Sequence, residues 1–358
     1  MALLTSNRCK LLSKSFLALR GMCMFRNVQE VRIPMPLGHL AGKWWGPPEQ
    51  RPIVALHGWQ DSCGSFDRLI PLLSEDISFL ALDSPGHGHS YKLPAGIPYR
   101  NTDAIILLKQ LRRYFGWQKI TLMGHSLGAI QAFSYGSLFP KYVDFMICLD
   151  CVHPFITSMQ TQNVVNNIEK FLKYDALRQS TNEPPTYTME EMVEKLHLAT
   201  KKSIAIDTAE YILRRNIKES EQTPGKYYFN RDPRLKVDPL LNEDHNHIVA
   251  AASHVTFPIL ICKFSEGSFL GDGSMFQEVY KAVSKSSVHC EFHEIPGTHH
   301  AHLNEPSLVA HYISNFIQQH DVEDRGVGGM NPGIMYDELI HGAMEANPQP
   351  PTFDAVVS

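Results

Sequence analysis

No stretch of the 358-residue chain offers the ~18 consecutive apolar residues that a membrane-spanning helix needs. The seven cysteines are odd in number and show no disulfide-type spacing. Cys148, Cys151, Cys262 and Cys290 fall in or beside apolar runs, where cysteine acts as a small hydrophobe. That usage fits a reduced, intracellular protein. An excess of basic charge is also missing: the net charge is −4 and the pI about 6.5, which argues against a nucleic-acid partner. No internal repeat is present. Residues 1–27 hold no acidic residue but include Arg8, Lys10, Lys14, Arg20 and Arg26, with Leu12, Phe16 and Leu19 on one side at helical spacing. Lys14 interrupts any secretory apolar core. The composition suits a mitochondrial transit peptide, with a basic unstructured N-terminus of a cytoplasmic protein as the alternative.

What is there is alternation. Residues 28–36 and 38–46 read as an antiparallel hairpin around Pro-Leu-Gly. Short apolar runs follow at 52–56, 78–82, 120–123, 143–149, 257–262 and 288–295. Between them lie helical patterns at 65–73, 101–114, 129–139, 275–283 and 305–319. This is an α/β pattern: a mostly parallel sheet of about eight strands with helices on both faces, built from 28–151 and 254–320. The alternation breaks over 152–253, where helices are expected at 164–174, 189–199 and 204–214 with no buried strand. That stretch reads as an inserted helical cap. After His320 come several glycines and prolines without periodicity, so 321–358 reads as a flexible, acidic tail with a short helix near 336–344.

The stretch Lys119-Ile-Thr-Leu-Met-Gly-His-Ser-Leu-Gly128 is the centre of the pattern. A strand, the G-x-S-x-G turn and a helix follow one another, which is the context that gives this pentapeptide chemical meaning. Such a turn holds Ser126 in a strained conformation near a helix N-terminus, where developing negative charge is favoured. A nucleophilic serine needs a base, a carboxylate to orient that base, and donors for the oxyanion. His299 is the candidate base, in Pro296-Gly-Thr-His-His-Ala-His-Leu-Asn-Glu-Pro306, with His300 and then His302 its competitors. The N–H of Leu127 and that of Trp59, after His57-Gly58, are placed for the oxyanion hole. Asp83, with Gly86 and Gly88, reads as a turn brace.

Two carboxylates compete for the third role. Gly267 falls where the loop after the 257–262 strand often supplies an Asp, and Glu266 is one step away. Asp150 ends the preceding strand and is favoured over Glu266; its other reading is a cap on the following turn. The histidines of 299–302 lack a separate ligand group at matching spacing, so no metal is assigned.

With Ser126, His299, His57-Gly58-Trp59 and Asp83-x-x-Gly-x-Gly-x-Ser90 in place, the chain resembles the α/β-hydrolase superfamily. Within it, the chain is similar to the serine hydrolase-like (kraken-type) group. His57-Gly-Trp-Gln-Asp61, the segment 65–73, Tyr228-Phe-Asn-Arg-Asp-Pro-Arg-Leu235 and the 297–306 loop carry that likeness, which spans about residues 28–320. The resemblance implies an eight-stranded sheet, a helical cap and a Ser/acid/His hydrolase that needs no cofactor. Gly267 departs from its commonest acid position. The expected substrate is a small-molecule ester with an apolar acyl group. The alternatives are a non-catalytic protein that binds a small ligand on the same scaffold, and a C–C bond hydrolase or lyase using the same residues.

Overall fold

Short, β-branched-rich runs become strands in the computed structural model, which describes residues 28–154, 161–237, 244–267, 273–321 and 335–336. β1 (Val28–Met35) and β2 (Gly38–Trp45) form an antiparallel hairpin. β3 (Ile53–Leu56), β4 (Phe79–Leu82), β5 (Ile120–His125) and β6 (Val143–Leu149) follow, with α1 (Asn101–Tyr114) and α2 (Leu127–Leu138) on either side of β5 in sequence. β3, β4 and β5 are buried at every residue. Helices cover both of their faces, so continuous apolar runs replace alternation.

Between β6 and the return to the sheet lie α3 (Thr161–Arg178), α4 (Met189–Ala199), α5 (Ala209–Asn216), β7 (Ile217–Glu219), β8 (Tyr227–Phe229) and α6 (His245–Ala252). The sheet resumes with β9 (Ile259–Glu266), α7 (Ser274–Ser286) and β10 (Cys290–Thr298), then α8 (Ala301–Asn304) and α9 (Ser307–His320). β11 (Met335–Tyr336) pairs antiparallel with β1. Strand order is β10-β9-β6-β5-β3-β4-β2-β1-β11, and β10 through β4 run parallel. Period two shows in the core: Val54 and Leu122 pack in one apolar layer, Ala55 and Met123 in the other. Among the described residues, no helix is long and apolar enough to cross a membrane.

Four local expectations change. The helix read at 65–73 is two short 3-10 turns, Cys63–Phe66 and Ile70–Leu72. Pro71 removes an amide donor there and crowds the preceding turn. The third helix of the inserted segment starts at Ala209 rather than 204. Asn304 Oδ1 accepts from Ala205 N–H (3.1 Å) and from Thr208 Oγ1 (2.7 Å), which holds 205–208 as a turn. The same segment is not wholly helical, because β7 and β8 form a small hairpin. Tyr336 lies in a strand, and the rest of the helix read near 336–344 lies outside the described residues, as do 1–27.

The inserted segment is tied to the sheet by buried ions. Arg215 of α5 donates from Nε to Asp83 Oδ2 (2.9 Å) and from Nη1 to Glu30 (2.6 Å), and its Nη2 lies 2.8 Å from the same Asp83 oxygen as an ion pair. Asp83 also accepts the N–H groups of Cys63 and His89. Burial raises the Asp83 carboxyl, but Arg215 outweighs it and holds the group well below the usual range. A second tie joins 203–208 to the 298–304 loop. Ser203 O accepts from Thr298 Oγ1 (2.8 Å) and Asn304 Nδ2 (2.7 Å).

Candidate active site

β5 delivers Ser126 to the carboxyl edge of the sheet, and α2 starts immediately after it. Ser126 has φ 51° and ψ −115°, a conformation that costs an L-residue energy and persists only when its surroundings impose it. The imposition is visible: Ser126 N–H donates to Leu149 O of β6 at 3.0 Å. A Cβ at Gly128 would sit 2.0 Å from Leu56 O, so only glycine lets α2 approach β3 this closely. Leu127 N–H, at the first position of α2, has no intrahelical partner. Among the described residues neither it nor Trp59 N–H meets a protein acceptor. Trp59 and Leu127 both line a mainly apolar cavity of about 70 Å³.

His299 stands between β10 and α8, on a loop that His125 draws towards Ser126. His125 Nε2 donates to His299 O at 2.7 Å, since the carbonyl can only accept. His299 Nδ1 lies 2.5 Å from Asp150 Oδ2. Asp150 leaves β6 at φ 54° and is fixed at both ends. Its N–H donates to Cys262 O at 2.7 Å, and its Oδ1 accepts Phe264 N–H at 2.7 Å. Burial pushes the Asp150 carboxyl up against the His299 bond, and burial pushes the His299 imidazole down against the pull of Asp150.

Gly267 explains the space. A Cβ there would lie 2.1 Å from Asp150 Oδ2, so the carboxylate of Asp150 occupies the room that a side chain at 267 would take. Glu266 is exposed at the end of β9. His300 is engaged elsewhere: Nε2 donates to Asp61 Oδ2 at 3.2 Å and Nδ1 accepts from Ser203 Oγ at 2.6 Å.

A cluster behind this arrangement was not legible in the sequence. Asp61, His125 and His300 are buried, with ligand-capable atoms all within 4.8 Å. Asp61 Oδ2 is 3.6 Å from His125 Nδ1, and the His302 ring centroid is 4.0 Å from that of His125. Burial raises the Asp61 carboxyl, yet His300 and His125 hold it well below its usual range. Burial depresses His125 to about 3. Asp61 was visible only as part of the His57–Asp61 run; no spacing linked it to a histidine 64 positions later. His125 and His300 have their other ring nitrogens taken by His299 O and Ser203 Oγ, so the cluster orients the His299 loop.

This combination of sheet order, serine turn and histidine loop is that of one class, and the α/β hydrolase fold family matches residues 51–230. The chain belongs to the α/β-hydrolase family, in its serine hydrolase-like group. A Drosophila melanogaster protein described as a probable serine hydrolase is 35% identical over 81% of this chain and 88% of its own length. A serine hydrolase-like protein of Danio rerio is 31% identical over 85% of this chain and 94% of its own. Among solved structures, a hypothetical protein of Pseudomonas aeruginosa superposes with a TM-score of 0.68 at 27% identity, over 81% of this chain and 98% of its own.

Proposed function

We propose that the protein is a serine hydrolase that cleaves small carboxylic esters through an acyl-enzyme on Ser126. The arrangement that carries this is the His299–Asp150 pair, 2.5 Å apart, on a loop tethered to the residue before the strained Ser126. His299 takes the hydroxyl proton as Ser126 Oγ attacks the ester carbonyl. The N–H groups of Trp59 and Leu127 stabilise the oxyanion. His299 then protonates the leaving alcohol, and a water activated by the same imidazole releases the acid. Asp150 holds the ring in the tautomer with Nδ1–H. Residues 152–253 act as a cap over the core of 28–151 and 254–320, and the small apolar cavity favours short acyl groups. The Drosophila and Danio descriptions support serine chemistry.

The test is labelling with a fluorophosphonate probe. Wild type is expected to label and Ser126→Ala to remain unlabelled. Folded wild type that never labels and turns over no activated ester would overturn this function and point to a ligand-binding protein on the same scaffold.

A further inference from the structure

The stretch Tyr228-Phe-Asn-Arg-Asp-Pro-Arg-Leu235 contains two arginines with opposite environments. Arg234 is fully engaged. It donates to the Asp232 carboxylate from Nε and Nη2, to Asp175 Oδ1 from Nη1, and to the carbonyls of Leu93, Pro94 and Ile97. It ties the inserted segment to the 93–97 loop. Among the described residues Arg231 makes no such bonds: its Nη1 is closed off from solvent and has no hydrogen-bond partner there. The ring of Phe229 lies 4.1 Å from its guanidinium carbon. Burial lowers its pKa to about 10, which still leaves the side chain charged at neutral pH.

Its position is fixed from both sides. Asn230 N–H donates to Asn216 O at 2.7 Å, and Asp232 N–H donates to Gly86 O at 2.8 Å. Arg231 is therefore held against the 83–90 turn. His87 of that turn accepts Gln60 N–H on Nε2 at 3.0 Å, and the Gln60 side chain donates to Leu235 O at 3.0 Å. Gln60 follows Trp59, one of the two oxyanion donors proposed above. His87 and Leu235 line the same cavity as Trp59 and Leu127. The guanidinium is near enough to Asp61 and His87 for their charges to interact. No hydrogen bond or ion pair joins it to Asp61 among the described residues, and Asp61 Oδ2 accepts from His300 Nε2. Asp232, the next residue, is bonded to Arg234 and Tyr99.

A half-buried guanidinium whose Nη1 is shut off from solvent without an acceptor is unfavourable unless something completes it, and the planar fork of arginine matches the two oxygens of a carboxylate or phosphate. We propose that Arg231 is the recognition residue for an anionic oxyacid group, so that the preferred substrates are esters bearing a carboxylate or phosphate away from the scissile bond. The word substrate rests on the ester-hydrolase function above; the anion site does not.

The experiment compares charged and neutral esters in wild type, Arg231→Met and Arg231→Lys. p-Nitrophenyl hemiglutarate is set against p-nitrophenyl pentanoate for a carboxylate, and 1-butyryl-glycerol 3-phosphate against monobutyrin for a phosphate. In wild type at low salt, kcat/KM is expected to favour at least one charged ester over its neutral partner, and which one identifies the anion. That preference is expected to fall about 30-fold in Arg231→Met, less in Arg231→Lys, and to weaken with added salt. A wild type without preference, or a preference that survives Arg231→Met, overturns the proposal. Should Arg231→Met not fold, a wild-type preference insensitive to salt overturns it equally. If wild type hydrolyses none of the four esters, the ester-hydrolase function fails, and calorimetric titration with glutarate and inorganic phosphate decides the anion site. Binding weakened about 30-fold by Arg231→Met upholds it, and wild type that binds neither overturns it.

Discussion

Adding one methyl group at Gly267 is expected to disable catalysis without touching a catalytic residue. The new Cβ in Gly267→Ala would lie 2.1 Å from Oδ2 and 2.4 Å from Oδ1 of Asp150. An ordinary carbon–oxygen contact is about 3.5 Å, so the carboxylate or the loop must give by about 1 Å. Asp150 has little freedom to yield, because its Oδ1 is bonded to Phe264 N–H at 2.7 Å and its backbone to Cys262. The displaced oxygen is the one that meets His299 Nδ1. A misplacement of about 1 Å costs roughly 100-fold in rate, and complete loss of the orienting carboxylate costs about 10⁴-fold in comparable triads. Turnover of p-nitrophenyl butyrate by Gly267→Ala should therefore fall between those bounds, at least about 2.7 kcal/mol in activation free energy. Asp150→Asn, measured alongside, sets the lower bound on activity. Urea unfolding of both variants checks that the fold is retained. Activity of Gly267→Ala within about threefold of wild type, with Asp150→Asn strongly impaired, would refute the steric coupling between positions 267 and 150.

The same geometry suggests that the acid can be relocated. Gly267→Asp in an Asp150→Gly background should recover at least about tenfold over Asp150→Gly alone, whereas no recovery would mean that a carboxylate at 267 cannot reach His299. Burial, only partly opposed by Asp150, holds the His299 imidazole below its ordinary 6.5, so the neutral base persists to lower pH. The acid limb of kcat/KM should accordingly have its midpoint below 6.5, and a midpoint above about 7 would contradict this environment. Arg215→Met leaves Asp83 buried beside Glu30 without its cation and should cost about 3–5 kcal/mol in urea unfolding; a loss under about 1 kcal/mol would show that this tie adds little. Because Asp83 is held below its unfolded value, wild type keeps the full stabilisation of the pair above the ordinary carboxylate range and loses it as pH falls further. A wild type whose stability is flat from pH 5 to acid unfolding would oppose that assignment.

The parallel sheet and the serine turn were legible because buried strands must be continuously apolar and the turn must carry small residues. Ile120–His125, Gly124 and Gly128 meet those demands locally. The carboxylate partner of His299 was harder to read, since Asp150 and Glu266 each lie at the end of a strand that reaches the same sheet edge. What separates them is three-dimensional: the chain reverses at Asp150 with a positive φ, and the absent side chain at Gly267 leaves the room. Glu266 ends its strand exposed. The third helix of the inserted segment was read five residues too long at its start, because Asn304, about 100 positions away, supplies the bonds that hold 205–208 as a turn. The Asp61–His125–His300 cluster left no local signal at all. Its members come from three separate parts of the chain and are brought together by the sheet.

The bonds between Ser203 and the 298–304 loop limit how the inserted segment can move. Ser203 contacts Thr298, His300 and Asn304, the residues that flank His299. A swing of this part of the inserted segment away from the sheet would drag His299 off Asp150. The margin near α4 and α5 therefore cannot lift like a hinge without disturbing the loop that carries His299.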